Sequence, residues 1–106
     1  MKNKVLTYMG FAKKSGNLVS GVNTCSFNMA KGKVKLAILA EDISENSEKK
    51  IMKEIRKHGV DHIKYGTSEE LSHATGAEGR SVFAVLDKGF AQAIMGEIES
   101  DLKNNA

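Results

Sequence analysis

Apolar residues recur at helical spacing at the start of the chain: Val5, Tyr8, Met9 and Ala12 lie three to four positions apart. That period predicts a helix from about Lys4 to Lys14. Ser15-Gly16-Asn17 stops it. Leu18-Val19 follows as a short candidate edge strand, and Ser20-Gly21 reads as an N-cap region. A second helix then carries Val22, Cys25 and Met29 on one face. It closes at Lys31-Gly32, a basic last turn followed by glycine. Two continuous apolar runs, Leu36 to Ala40 and Val82 to Leu86, are too short for ordinary helices. Lacking polar alternation, they read as strands covered on both faces. Between them, Glu45 to His58 is a helix with Ile51, Met52 and Ile55 facing inward, ended by Gly59. His62 to Tyr65 is a weaker, edge-type strand. Thr67 and Glu70 stand at capping-box spacing, so a short helix follows and stops at Gly76. A last helix places Ala91, Ile94, Ile98 and Leu102 on one side.

Helices and strands therefore alternate along the whole chain. This predicts a single α/β domain over residues 1–106, a three-layer α/β/α sandwich around a small, mixed, four-stranded sheet. No linker, repeat or low-complexity stretch interrupts it, and there is no proline.

Composition narrows the class. With 106 residues, 41% hydrophobic and 27% charged, the chain has material for one core. Its longest apolar runs fall far short of the ~20 residues of a membrane span. Met1 to Lys4 leads into no apolar stretch of signal-peptide type. The lone Cys25 excludes an internal disulfide and a zinc site built on several thiolates. A cytoplasmic, monomeric protein is the expectation.

Charge is uneven. Residues 1–35 hold seven lysines and no acid, whereas residues 36–106 hold nine basic and thirteen acidic residues, a net of −4. A fold that gathers the first segment has a positive pole suited to nucleic acid. Lysines that merely keep the chain soluble are the alternative.

Enzyme signatures are absent: no phosphate loop, no G-x-G-x-x-G and no G-x-S-x-G. Cys25 shares a helix face with Val22 and Met29, so a buried, inert thiol is favoured over an activated one. His58, His62 and His73 have no metal-ligand spacing. Glu41 and Asp42 follow the first buried strand, where α/β sheets tend to bind ligands. There they serve acid–base work, a helix cap or a loop hydrogen bond. The second helix holds the most chemistry. Asn23, Phe27 and Lys31 lie four residues apart in one line, flanked by Thr24 and Asn28. Its first N–H groups suit a phosphate. Asn23 and Thr24 suit base edges, with Lys13 and Lys14 expected nearby. Helix-start chemistry for Asn23 and Thr24, and packing of Phe27 against a neighbouring helix, are the competing explanations.

Residues 11–21 (FAKKSGNLVSG), 31–40 (KGKVKLAILA), Glu41-Asp42, Glu70-Leu71, Thr75-Gly76 and the segment ending at Asp87 to Phe90 together carry a resemblance. From about Lys4 to Leu102 the chain resembles the kink-turn-binding ribosomal proteins of the L7Ae and L30e type, and within them the small bacterial YlxQ-like branch. The resemblance implies the same sandwich and binding of RNA kink-turns, bent stems with tandem G·A pairs. It implies that the start of the second helix enters the RNA groove while the loop before the last strand grips from the side. By matching position, Gly21, Asn23 and Thr24 fall on the helix-start segment, and Ala77, Glu78 and Gly79 on the loop after Gly76. Thr24 stands where the family usually has glutamate or glutamine, Phe27 where it usually has lysine, and Ala77 and Gly79 where bulkier apolar residues are typical.

The resulting expectation is a non-enzymatic RNA-binding protein without cofactor or metal, for which the resemblance makes ribosomal RNA one candidate ligand. Lys13, Lys14, Lys31 and Lys33 neutralise phosphates. Asn23 and Thr24 contact bases, Phe27 stacks on one, Glu41 joins the contact set, and the loop Gly76–Arg80 closes over the RNA. A protein–protein adaptor presenting Phe27 is the alternative, followed by a small-molecule role for Glu41 and Asp42.

Overall fold

A computed structural model of the chain describes residues 3–104. Five helices alternate with four strands: α1 Lys4–Lys14, β1 Leu18–Ser20, α2 Val22–Ala30, β2 Leu36–Leu39, α3 Glu45–His58, β3 His62–Lys64, α4 Ser68–Thr75, β4 Val82–Val85 and α5 Lys88–Asn104. The strand order is β1-β4-β2-β3. β4 runs antiparallel to both β1 and β2, and β2 runs parallel to β3, so the sheet is mixed as expected.

Strand residues point alternately to opposite faces, and here both faces are covered. Leu36, Ile38, Phe83 and Val85 join Val5, Met9, Leu71, Ile94 and Ile98 in a core beneath α1, α4 and α5. Ala37, Leu39, Val82 and Ala84 join Cys25, Met29, Ile51 and Ile55 beneath α2 and α3. This is the three-layer sandwich. Phe83 is fully buried, and truncating it to alanine would cost about 3–5 kcal/mol. That is a large share of the ~5–15 kcal/mol that holds a domain folded.

Local signals explain the helix ends. Thr67 and Glu70 form the reciprocal capping box at α4, and Ser44 caps α3 by accepting from the Ser47 N–H at 3.2 Å. Gly59 and Gly76 close α3 and α4 in the left-handed conformation.

Two expectations need correction. Leu102 does not continue the inner face of α5. It is 51% exposed, because the last turn of the helix runs past the core beside Asn3 and Tyr65. Tyr65 lies beyond β3 rather than in it. Its N–H still donates to the Leu39 carbonyl. Its ring is buried, and its hydroxyl donates to Asp101 and accepts from Asn3, each at 2.9 Å.

Candidate nucleic-acid interface

The site forms where β1 hands over to α2. Gly21 sits at φ +95°, ψ 145°, a conformation that side-chain-bearing residues rarely adopt. Its N–H donates to the Val82 carbonyl, and its carbonyl accepts from Cys25 to open the helix. No side chain caps α2, and its first turn carries no acid. The leading N–H groups are thus left for solvent or a ligand.

Arg80 faces this turn from the other side. A Cβ on residue 21 would lie 3.1 Å from the Arg80 Nη1. The backbone of Arg80 is pinned by Ser72 of α4, whose buried hydroxyl donates to the Arg80 carbonyl at 3.0 Å and accepts from its N–H at 3.1 Å. Next in the chain, the Ser81 and Ser68 hydroxyls are 2.8 Å apart. Ser68 spends its hydroxyl proton on Asp42, at 2.9 Å, so Ser81 is the donor to Ser68. The loop Gly76–Arg80 is therefore tied at its exit to α4 and to the β2 end.

Gly21, Asn23 and Thr24 form one wall of a cleft of about 440 Å³, and Gly79 and Arg80 form the other, with Ser47 of α3 closing it. Arg80 is the cation in this lining, and no carboxylate of the described residues forms an ion pair with it. A larger recess, about 630 Å³, opens elsewhere between α5 and the start of β2. It mixes Lys35 and Lys88 with Asp61 and Glu99 and contains none of the expected site residues.

The remaining candidates disperse. Lys13 and Lys14 close α1 before β1 begins, whereas Gly21 follows β1. Three-residue β1 separates them from it in the chain, and neither lysine lines the cleft. Lys31 and Lys33 follow the last turn of α2, away from the cleft. Phe27 does not pack against a neighbouring helix. It is 60% exposed, and the Lys31 ammonium stands 4.6 Å from its ring centre, a cation–π contact. Asn23, Phe27 and Lys31 thus share the exposed side of α2. Asn28 folds back and donates to the Thr24 carbonyl. Glu41 lines a separate recess with Asn3, Tyr65 and Glu70. Gly76 is the α4 cap, Ala77 is half-buried, and exposed Glu78 sits near Ser68 and Glu69.

Ser47, Ser72 and Ser81 escaped the sequence reading. Only Ser72 had a local signal, a polar residue on the inner face of α4 between Leu71 and Thr75.

The other reactive groups are structural. Cys25 is buried, its sulfur 3.8 Å from the Val19 and Val82 carbonyls. Burial pushes its pKa up to about 12, and the Arg80 charge offsets this only in part. Asp42 is held below the usual carboxylate range, first by the Ser68 N–H at 2.8 Å and then by the Ser68 hydroxyl. Its role is to fasten the β2 exit to α4. His58 lies 3.5 Å from Glu54. Among the described residues, no three His, Cys, Asp or Glu side chains group as metal ligands, and no helix is long and apolar enough to cross a membrane.

Comparison with known proteins bears on this geometry. The model of the ribosomal protein L7Ae/L30e/S12e/Gadd45 family matches residues 3–95. The RNA-binding protein YlxQ of Bacillus subtilis (strain 168) is 31% identical over 87 residues, 82% of this chain and 87% of that protein. The RNA-binding protein YlxQ of Enterococcus faecium is 28% identical over 91 residues, 86% and 87% of the two chains. A solved structure of a protein with unknown function from Bacillus halodurans C superposes with a TM-score of 0.85 at 26% identity, covering 92% of this chain and 99% of that one. The Giardia lamblia 15.5kD RNA binding protein shares the fold, with a TM-score of 0.71 at 15% identity over 94% and 89% of the two chains.

Proposed function

The chain belongs to the ribosomal protein L7Ae/L30e/S12e/Gadd45 family, and from that premise we propose that it is a non-enzymatic, cytoplasmic RNA-binding protein that holds a kink-turn-like stem, with ribosomal RNA among the candidates. The observation that carries this reading is the cleft between Gly21–Thr24 and Arg80. It brings together the helix start and the loop that the family resemblance assigns to RNA. The two YlxQ relatives, named as RNA-binding proteins, support the same class of ligand.

The chemistry follows from the walls. Uncapped N–H groups at the start of α2 and the Arg80 guanidinium receive phosphate oxygens. Asn23 and Thr24 offer amide and hydroxyl groups to base edges. Phe27 and Lys31 extend the contact along α2, one by stacking on an unpaired base and one by charge. Lys33, Lys13 and Lys14 act at longer range. Thr24 forgoes the charged hydrogen bond that an acid would make there, worth about 1.5–3 kcal/mol. That corresponds to about a ten- to hundredfold loss of affinity relative to an acid-bearing relative.

The test is a titration at moderate salt against a kink-turn stem and against the same stem lacking its tandem G·A pairs. Preference for the kink-turn, with affinity falling steeply as salt rises, is expected. Equal, weak binding to both would remove kink-turn specificity.

The exposure of Phe27 favours one second reading, a protein adaptor anchored on that ring. Under it, Phe27→Ala abolishes capture of a protein partner and leaves RNA affinity unchanged. Loss of RNA affinity alone would dismiss it.

A further inference from the structure

Charge on this molecule is not confined to the lysines before residue 36. The solvent side of α3 carries Lys49, Lys50, Lys53, Arg56 and Lys57, all exposed, opposite buried Ile51 and Ile55. At 1.5 Å of rise per residue this stripe is about 12 Å long. The three acids of the helix leave most of it unneutralised. Glu48 turns to Lys64 of β3 at 2.7 Å, Glu54 to His58 at 3.5 Å, and Glu45 to Lys49 at 3.4 Å. Lys50, Lys53, Arg56 and Lys57 form no ion pair among the described residues.

The stripe is continuous with the cleft. Ser47, one turn before Lys50, lines the cleft beside Asn23 and Thr24. α2 packs against α3, and from Val22 through Ala40 the sequence contains no acid. A polyanion leaving the cleft on this side therefore meets cations along α3 and no opposing charge from α2.

We infer that the outer face of α3 is a second phosphate-binding surface, engaging the backbone of one RNA arm as it leaves the cleft. This rests on RNA being the ligand of the cleft. The contact is with phosphates, so it adds reach and salt dependence rather than base specificity. The commitment to RNA over an acidic protein comes from the spacing of cations along one helix face that starts at the proposed RNA cleft.

The experiment compares the full chain with K53Q/K57Q and with K88Q/K103Q, which removes the same charge from α5. The probes are a kink-turn stem with short arms and the same stem with both arms lengthened by about ten base pairs. Each is titrated at several salt concentrations, with circular dichroism to verify the fold. K53Q/K57Q is expected to lose about tenfold in affinity for the long-armed stem and about two units of salt slope, one per phosphate contact. K88Q/K103Q should change affinity less than about twofold. Equal losses in the two variants would reduce the effect to the general field of the protein and overturn the inference. A K53Q/K57Q variant that binds like the unmodified chain overturns it too. An equal loss on the short-armed stem overturns the assignment to an arm. If the unmodified chain binds neither RNA, the RNA reading falls and this inference falls with it.

Discussion

The guanidinium of Arg80 stands close against Gly21, 3.1 Å from where a Cβ on that residue would sit. Glycine is favoured there by φ +95°, whereas the close approach asks only a small shift of Arg80. Gly21→Ala should therefore destabilise the fold by about 1–3 kcal/mol from backbone strain alone. It should also displace the Arg80 guanidinium by a few tenths of an ångström and lower RNA affinity by less than Arg80→Ala does. Urea unfolding and RNA titration check both parts, and an alanine variant of unchanged stability would contradict the account.

Ser72 should matter to RNA without facing the cleft. Its hydroxyl both donates to and accepts from the Arg80 backbone. Ser72→Ala leaves those groups unpaired and should cost about 1–3 kcal/mol of stability. Arg80→Ala, at an exposed side chain, should change stability by less than about 0.5 kcal/mol. If Ser72 works by holding Arg80, the two substitutions will be non-additive in RNA affinity. Fully additive losses would separate them.

Cys25 should resist alkylation in the folded protein. Burial raises its pKa from 9.0 to about 12, and the thiolate is the reactive form. Because the folded value lies above the unfolded one, the neutral thiol's contribution is intact below about pH 9 and is lost as pH rises toward 12. Cys25→Ala should flatten that part of the stability profile. Rapid labelling by iodoacetamide at pH 8 without denaturant would refute the buried assignment.

Asp42 predicts the opposite end of the profile. Its pKa is lowered by the Ser68 N–H and hydroxyl, so the folded value lies below the unfolded one. The stability it contributes is present above the ordinary carboxylate value of 3.8 and is lost as pH falls through the folded value. Asp42→Asn should remove this segment of the acid transition. Carbon-detected titration of the side chain should find Asp42 ionising below the ordinary value of 3.8; a midpoint at or above it would count against the tie to α4.

Features encoded locally were legible in the amino-acid sequence. Leu36–Leu39 and Val82–Val85 are apolar throughout because both faces of each strand are covered. The α4 boundaries were written in Thr67, Glu70 and Gly76. The start of α2 stood out as half of the candidate site. Its other half depended on a distant relationship, since Arg80 reaches Gly21 only because β4 pairs with β1. Lys13 and Lys14 precede β1 and are not part of the cleft lining, so their part in the site depends on charge rather than on contact. The α3 stripe was hidden by averaging: the net −4 of residues 36–106 conceals five cations and one acid between Lys49 and Lys57.

The position of β4 sets when the molecule can come into being. β1 and β2 precede it by many residues in the chain, yet neither touches the other, because β4 lies between them. Phe83 and Val85 complete one core, and Val82 and Ala84 the other. A nascent chain emerging from the ribosome cannot join β1 to the β2–β3 pair until β4 is free. Arg80 arrives just before it. Domain closure and assembly of the cleft are consequently one event, and a chain that stops short of β4 has neither its two cores completed nor a formed grip.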